Sequence, residues 1–235
     1  MKPSDCEYCG GSGWVHPMVN DKVDYSHVVV CSCTKKKNEV ERLDRLLRVC
    51  NLPSFANDMT FEKFKVYPEV KLAFDSAKEM ASNPKKLCWL AFIGTNGTGK
   101  THLGVSVCRA WVKAGVPARY MLVSLLLDEL RQGFSTDKGE NSYEGRFKYY
   151  CNIPLLFLDD YGLQSSTPWV QEKLDTLIDY RLMNNLSLIV TSNNSLDEMP
   201  PRIRSRLMRH PNSKIIAIMA EDYVPKTRLS DKSKY

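Results

Sequence analysis

The sequence has no run of apolar residues close to the roughly 18 to 20 that a membrane-spanning helix needs. Its N-terminal residues, Met-Lys-Pro-Ser-Asp-Cys, also lack the apolar stretch of a secretory signal peptide. No internal repeat or low-complexity segment stands out. We therefore expect a cytoplasmic globular protein, whose 235 residues give room for one sizeable core with an appendage but not for two large domains.

The excess of positive charge is concentrated at the C-terminal end. The chain holds 33 Lys and Arg against 27 Asp and Glu, which gives a net charge of +6. Residues 201–235 contain nine basic and three acidic residues, so this segment accounts for the entire excess. A basic end is typical both of a nucleic-acid-binding segment and of a solvated tail, and charge alone favours neither.

The composition divides the chain into four segments. Residues 1–36 are rich in cysteine and glycine and form a predicted N-terminal module. Residues 37–68 hold an amphipathic helix, predicted at 39–50, and a connecting segment that packs its aromatic side chains against the rest of the chain. Residues 69–220 form the predicted main domain, and residues 221–235 form a basic tail.

Within the main domain, helical periodicity alternates with short apolar runs. The runs predict strands at 87–93, 118–123, 154–158, 187–191 and 215–219, and a polar loop is expected between 132 and 154. Continuous apolar strands separated by helices are typical of a parallel sheet that is covered on both faces. We therefore predict an α/β fold with a doubly wound parallel sheet.

A phosphate-binding loop follows the first of these strands and opens a predicted helix. The residues Gly94, Thr95, Asn96, Gly97, Thr98, Gly99, Lys100 and Thr101 match the pattern G-x-x-x-x-G-K-[ST]. Glycines let backbone N–H groups turn toward phosphates, Lys100 neutralises the β and γ oxygens, and Thr101 offers a hydroxyl to Mg²⁺. The motif predicts a P-loop site for ATP and Mg²⁺, and His102, which follows directly, is also a candidate nucleotide-binding residue.

Carboxylates end the strand predicted at 154–158. Because the carboxyl ends of parallel strands line the ligand crevice, Asp159 is expected to hold Mg²⁺ through its water shell, and Asp160 to polarise the attacking water. Asp160 could instead only begin a turn with Tyr161 and Gly162. An Asp reaches less far than the Glu that is common at this place, so we expect slow turnover.

Polar side chains also end the next strand. Asn193 is our candidate for orienting the lytic water or contacting the γ-phosphate, with Thr191 and Ser192 as less favoured candidates. The alternative is that the segment 193–195 caps the next short helix.

Two arginines spaced four residues apart follow this segment. Arg206, with Arg202 as the second choice, is the candidate for an arginine finger that reaches the γ-phosphate of a neighbouring subunit. The alternative is a solvated or DNA-facing basic turn.

Two cysteine pairs in the N-terminal module have the spacing of metal ligands. Cys6 and Cys9 form a Cys-x-x-Cys pair followed by glycines, and Cys31 and Cys33 form a tighter Cys-x-Cys pair. Four thiolates would close a structural Zn²⁺ site, in which His16 or His27 could replace one cysteine. A redox pair is the alternative, but it lacks a strand and helix around it. The other cysteines, Cys50, Cys88, Cys108 and Cys151, lie in apolar contexts typical of core residues.

Residues 145–150, Gly-Arg-Phe-Lys-Tyr-Tyr, interleave cations with aromatic side chains. This composition suits contact with single-stranded DNA, and it equally suits a helix with one buried aromatic face.

Taken in order, these motifs resemble the AAA+ ATPases of the DnaC/DnaI-type helicase-loader and IstB-like transposition-helper group. The resemblance covers about residues 55–207. It is carried by Met-Thr-Phe-Glu-Lys-Phe at 59–64, Gly-Lys-Thr-His-Leu-Gly at 99–104, Asp-Asp-Tyr-Gly at 159–162, Thr-Ser-Asn at 191–193, Asp-Tyr-Arg at 179–181 and Arg-x-x-x-Arg-Leu at 202–207.

The resemblance implies that Asp159 and Asp160 are the acidic pair, Asn193 the first sensor and Arg206 the finger. It also implies that residues 145–150 face a central pore. Only 29 residues follow Arg206, too few for the usual helical lid, as in the loader group itself. Self-association through the ATP sites is therefore expected to depend on a bound partner, and Arg228 is only a guess for a lid sensor.

Zinc-bearing N-termini occur in DnaI-like loaders, where they engage the replicative helicase. The expected function is thus an ATP-dependent loader of a hexameric replicative helicase onto single-stranded DNA, from a bacterium or its phage, with slow, partner-stimulated ATP hydrolysis. The alternatives are an IstB-like transposition-helper ATPase and a non-hydrolysing, nucleotide-dependent helicase adaptor or inhibitor.

Overall fold

The computed structural model describes residues 6–135, 139–162 and 167–220. The basic tail at 221–235, with Arg228, lies outside the described residues. The chain divides into two compact units, Met1–Leu46 and Leu47–Tyr235. Among the described residues, no helix combines the length and apolar character needed to cross a membrane.

The N-terminal unit contains very little regular structure before its helix. It holds four strands of two residues each: β1 (Trp14–Val15), β2 (Met18–Val19), β3 (Lys22–Val23) and β4 (Val29–Val30). Strand β1 pairs with β4 and β2 with β3, both antiparallel. Helix α1 (Ser32–Cys50) begins seven residues before the predicted start at 39 and crosses the boundary between the units. Among residues 6–46, Cys31 is the one buried residue, so this unit has no apolar core of its own.

The second unit is built on a five-stranded sheet. Its strands are β5 (Trp89–Ile93), β6 (Ala118–Leu122), β7 (Leu155–Asp159), β8 (Ser187–Ser192) and β9 (Ser213–Ala217). They lie in the order β6-β7-β8-β5-β9, and every pairing is parallel. The predicted α/β fold with a parallel sheet is therefore confirmed.

Helices connect these strands. They are α2 (Pro68–Ser82), α3 (Lys100–Lys113), α4 (Val123–Gln132), α5 (Tyr143–Asn152), α6 (Pro168–Met183) and α7 (Pro201–Arg209). Short 3-10 turns occur at Ser54–Asp58, Gly133–Ser135 and Leu196–Glu198. Helix α5 lies between 132 and 154, where a polar loop was expected, and it includes residues 145–150, for which a helix was one of two alternatives. Its buried side chains are only Tyr150 and Cys151, which is too few for a clear helical periodicity.

The central strands β5, β7 and β8 are buried along their whole length, which explains their continuous apolar character. Helix α3 packs closely on β7 because Gly104 has no side chain. A Cβ atom at Gly104 would lie 2.4 Å from the ring of Phe157. This close approach places the start of α3 beside the carboxyl end of β7.

A buried arginine joins the amino ends of β7 and β8. Arg181, on α6, is fully buried and donates hydrogen bonds to the carbonyl oxygens of Tyr150 (3.0 Å), Cys151 (3.3 Å), Pro154 (3.3 Å) and Ser187. Burial lowers the pKa of its guanidinium. Since each carbonyl would otherwise lose a partner away from water, Arg181 satisfies four backbone groups at once.

We expect Arg181→Met to lower the free energy of unfolding by about 3 kcal/mol or more, because it leaves several buried carbonyls without a donor. Urea denaturation followed by tryptophan fluorescence would measure the loss. Arg204→Met is the matched control, since Arg204 pairs with exposed Asp197 and its loss should cost under about 1 kcal/mol. Coinciding unfolding curves for the two variants would contradict this assignment.

Candidate functional site

The phosphate loop lies between the end of β5 and the start of α3. Gly99, the residue before the helix, has a left-handed backbone with φ of 88°. Lys100 is nearly buried and its Nζ donates to the carbonyl oxygens of Gly94 (2.7 Å) and Thr95 (2.6 Å). Burial lowers the pKa of Lys100, while the nearby charges of Asp160 and Asp159 oppose that shift. The free N–H groups at the start of α3 and the Lys100 ammonium make this loop suited to a phosphate chain.

Asp159 ends β7 and is 2% exposed. Its carboxylate accepts hydrogen bonds from the hydroxyls of Thr101 (3.0 and 3.1 Å), Tyr120 (3.0 Å) and Thr191 (2.5 Å). Burial raises the pKa of Asp159, and these hydroxyls partly offset the rise. The structure thus brings together Thr101 and Asp159, the two residues assigned to Mg²⁺, and oxygen ligands of this kind are those that Mg²⁺ prefers.

Asp160 follows directly in a left-handed conformation, with φ of 56°. Its backbone N–H donates to Thr191 Oγ1 at 3.0 Å, and its Oδ1 accepts a hydrogen bond from Asn193 Nδ2 at 3.0 Å. Asn193 therefore lies against the side chain of Asp160. Ser195, the last residue of the segment 193–195, caps the 3-10 turn Leu196–Glu198, and its N–H donates to Glu198 Oε2 at 2.7 Å. The capping alternative therefore holds for Ser195, while Asn193 contacts Asp160.

The two candidate finger arginines lie on α7 and pair with carboxylates of α6 in the same chain. Arg206 Nε lies 2.6 Å from Asp179 Oδ1, and Arg202 Nη2 lies 2.9 Å from Asp179 Oδ2. Arg202 also lies 3.7 Å from Asp175. The Arg206 guanidinium lowers the pKa of Asp179, so this carboxylate stays ionised. The sequence analysis placed Asp179 in the Asp-Tyr-Arg motif at 179–181 but did not predict its ion pair with Arg206.

The segment before α2 covers one side of the phosphate loop; the sequence analysis expected its aromatic side chains to pack but did not say where. The Thr60 carbonyl lies 2.8 Å from His102 Nε2, and the Phe64 ring packs edge-on against His102 at 5.1 Å. A Cβ atom at Gly99 would lie 2.7 Å from Phe64, so glycine is required there for contact as well as conformation. A cavity of about 90 Å³ lies at this place, and its lining also includes Lys63, Lys65, Tyr67, Gly97 and Thr98. The apolar pair Phe61 and Phe64 in a polar stretch was the available signal.

In the N-terminal unit, the sulfur atoms of Cys6, Cys9, Cys31 and Cys33 all lie within 4.8 Å of one another. The Sγ atoms of Cys6 and Cys31 are 3.8 Å apart, and those of Cys9 and Cys33 are 3.6 Å apart. A tetrahedral Zn²⁺ with four thiolates would place the sulfurs about 3.8 Å apart, so the four cysteines fit this ion.

Neighbouring groups shift the pKa values of these thiols in different directions. The backbone N–H groups of Gly13 and Gly11 lower the pKa of Cys9, while burial and hydrogen bonds with the other three thiols raise the pKa of Cys33. The cluster without metal therefore favours a thiolate at Cys9 rather than at all four sulfurs. The two histidines do not belong to this group: His16 Nδ1 lies 2.9 Å from the His27 carbonyl, and His27 Nδ1 lies 3.4 Å from Asp24. Of the remaining cysteines, Cys50, Cys108 and Cys151 are buried, as expected for core residues, and Cys88 is half-buried.

Residues 22–208 match the model of a family described as IstB-like ATP binding protein. The chain belongs to this family. The replicative helicase loader DnaC of Escherichia coli K12 is 20% identical over 176 residues, which span 74% of this chain and 71% of DnaC. The putative ATP-binding protein of insertion sequence IS232 from Bacillus thuringiensis subsp. berliner is 28% identical over 149 residues, which span 60% of this chain and 57% of that protein.

The fold has solved counterparts. A crystal structure of the DnaC helicase loader superposes with a TM-score of 0.62 at 22% identity, over 71% of this chain and 99% of that one. The resemblance noted from the motifs and the predicted fold are therefore both confirmed. The role of each site residue stays a prediction that the geometry describes but does not test.

The buried charge of Asp159 gives a prediction for the protein without nucleotide or added Mg²⁺. Because its pKa is raised in the folded state, the ionised carboxylate costs stability near neutral pH, and this cost disappears as pH falls through that pKa toward the ordinary value of 3.8. Asp159→Asn should therefore raise the thermal midpoint by about 2 °C or more near neutral pH, with a smaller gain near about pH 4. Circular dichroism would measure both midpoints.

Asp58→Asn is the control, because exposed Asp58 pairs with Lys63, which lowers its pKa, and its loss should not raise the midpoint. A lower midpoint for Asp159→Asn than for the unchanged protein would contradict the prediction.

Proposed function

We propose that this chain is an ATP-dependent loader of a hexameric replicative DNA helicase, which it places on single-stranded DNA during replication initiation. The observation that carries the proposal is the group of four cysteines, which lies ahead of the phosphate loop in a chain of the IstB-like ATP-binding family. A zinc-bearing N-terminus is a feature of the DnaI-like loaders that the motifs resemble. The relative named as a replicative helicase loader supports the same assignment.

ATP would bind at the phosphate loop. Lys100 and the N–H groups of Gly97 to Thr101 would hold the phosphates, and the pocket beside Phe64 and His102 would take the base. Thr101 and Asp159 would hold Mg²⁺, which neutralises developing phosphate charge when bound. Asp160 would accept a hydrogen bond from the attacking water, while Asn193 orients the Asp160 carboxylate through their 3.0 Å contact.

Arg206 would complete the site of a neighbouring subunit. Its Nε and Nη2 groups donate to Asp179, and the Nη1 group is not part of this pair. In an assembly on the helicase, this group would contact the γ-phosphate of the next subunit and stabilise charge in the transition state. Arg202, which is more exposed and binds Asp175 and Asp179, remains the second choice.

Zn²⁺ would hold the N-terminal unit together. Since Cys31 is the one buried residue among residues 6–46, metal ligation would supply the folding energy that a core supplies elsewhere. This unit also exposes large apolar side chains, including Tyr8, Trp14 and Tyr25. Such side chains are enriched in protein interfaces, and we assign them to contact with the helicase.

Single-stranded DNA would contact an aromatic surface around α5. The rings of Phe134 and Tyr143 stack at 4.6 Å, and those of Tyr143 and Phe147 at 5.8 Å, with Phe134 exposed. Lys173 lies 5.8 Å from the Tyr143 ring. Tyr143 and Phe147 pack partly against the core, so the exposed Phe134 ring is the one that would stack on a base, with Lys173 near the phosphates. Residues 145–150 lie in helix α5 with Tyr150 buried, as the helix alternative expected, and contact of this segment with DNA stays a proposal.

A transposition-helper ATPase is the second candidate. The family description and the relative from IS232 favour it, and it would use the same nucleotide site. The cysteine group is the observation that separates the two proposals, because we assign it to a helicase contact. A nucleotide-dependent adaptor without useful hydrolysis is the third candidate.

We expect the purified protein to form a stable complex with the hexameric replicative helicase of its host, measured by light scattering with and without ATP. Cys6→Ser should lose both the bound zinc and the complex, because three thiolates no longer close the site. Cys151→Ser is the matched control, since Cys151 is buried in the other unit and should leave the zinc content unchanged. Failure to form a complex in either nucleotide state would favour the transposition helper.

Hydrolysis in the presence of helicase and single-stranded DNA tests the catalytic assignments. Asp160→Asn should bind ATP normally and lose about 100-fold or more in turnover. Arg206→Ala should lose about 1000-fold, because a finger acts on the transition state, whereas Arg204→Ala should keep its rate. Steady-state phosphate release measures all three. Helicase loading that is unaffected by Asp160→Asn would favour the non-hydrolysing adaptor.

A further inference from the structure

We propose that Thr191 is a positioning residue, which holds the two carboxyl groups of Asp159 and Asp160 in the arrangement that hydrolysis needs. This inference rests on the proposed ATPase function and adds to it a residue outside the phosphate loop. Thr191 lies on β8, is fully buried, and therefore does not itself face a phosphate.

One hydroxyl serves both acidic residues. Thr191 Oγ1 donates a hydrogen bond to Asp159 Oδ1 at 2.5 Å and accepts one from the Asp160 N–H at 3.0 Å. A threonine hydroxyl has a single proton, so donating to the carboxylate leaves its lone pairs to accept the N–H. The Thr191 hydroxyl proton therefore points to Asp159, and a lone pair of the same oxygen points to the Asp160 N–H.

The backbone of Thr191 acts at the next residue. Its carbonyl oxygen accepts a hydrogen bond from the Tyr161 N–H at 2.8 Å. Two successive N–H groups after β7 are therefore bound to the same residue of β8. This contact replaces the regular ladder, in which Leu158 pairs with Val190, at the point where β7 ends.

These bonds hold a strained backbone. Asp160 has φ of 56°, a left-handed conformation that costs a non-glycine residue about 1 kcal/mol or more. Such a conformation persists only where its surroundings determine it, and Thr191 supplies the contacts on the backbone side. Asn193 then orients the side chain through Oδ1. Without the Thr191 hydroxyl, the backbone of Asp160 would lose this contact, and the Asp160 carboxylate would no longer be held in one orientation.

The contact with Asp159 has a separate consequence. Thr101 and Tyr120 also donate to the Asp159 carboxylate. If the Thr191 hydroxyl were removed, the carboxylate would therefore stay in place but would be less well oriented. Loss of the Thr191 hydroxyl should therefore weaken the response to Mg²⁺ while leaving the contacts of Lys100 with the loop intact. The expected signature is a fall in kcat with little change in the KM for ATP.

Three variants test the proposal. Thr191→Val keeps the shape and removes the hydroxyl, and Thr191→Ser restores the hydroxyl without the methyl group. Ser187→Ala is the matched control at the opposite end of the same strand, where the Ser187 hydroxyl is buried and accepts the Cys88 N–H at 3.2 Å. It should cost stability without altering the acidic pair.

With helicase and single-stranded DNA present, Thr191→Val should lower kcat about 100-fold, since small misplacement of a catalytic group has effects of this size. Its KM for ATP should stay within about threefold, and its half-saturating Mg²⁺ concentration should rise. Thr191→Ser and Ser187→Ala should both hydrolyse at close to the unchanged rate. A folded Thr191→Val protein with unchanged kcat, or a Thr191→Ser protein as slow as Thr191→Val, would overturn the proposal.

Hydrogen exchange separates this inference from the ATPase function itself. The amide of Asp160 should exchange at least about tenfold faster in Thr191→Val than in the unchanged protein or Ser187→Ala, because its acceptor is lost. If the unchanged protein does not hydrolyse ATP, the proposed ATPase function fails and the exchange rates alone decide whether Thr191 orders Asp160. Equal exchange in all three proteins would overturn the role of Thr191.

Discussion

The buried carboxylate of Asp159 is the point at which the nucleotide site is held together. Hydroxyls from α3, β6 and β8 all donate to it, through Thr101, Tyr120 and Thr191. An ionised carboxylate away from water is costly unless it accepts several hydrogen bonds, so these hydroxyls are constrained to remain beside it. The phosphate loop at the start of α3 and the Asp160 turn are consequently held in register with one another.

The two units reach their stability by different physical means. The second unit buries the whole of strands β5, β7 and β8, whereas residues 6–46 bury only Cys31. The four sulfur atoms bring the segment at 6–9 together with the segment at 31–33 in the N-terminal unit. Zn²⁺ at that group would connect partner recognition to metal binding, because the exposed aromatic side chains would lose their scaffold without it.

The pairing of Arg206 with Asp179 bears on assembly. A free arginine loses much side-chain entropy when it is immobilised on a neighbour, and a bidentate carboxylate removes part of that cost before assembly. The same pair also keeps an arginine charge from being exposed alone at the surface.

Local patterns were enough to predict the alternation of strands and helices, the phosphate loop and the pairing of cysteines in the chain, because each depends on a short stretch. Helix α5 was expected only as one of two alternatives for residues 145–150, because few of its side chains are buried. The contacts of Asp159 with Tyr120 and Thr191 join residues 39 and 32 positions apart, and that of Asp179 with Arg206 joins residues 27 positions apart. Such contacts depend on the strand order β6-β7-β8-β5-β9, which differs from the order along the chain. The residues alone therefore determine which chemical groups the site contains. The tertiary structure determines which of these groups contact one another, because strand order brings distant residues together.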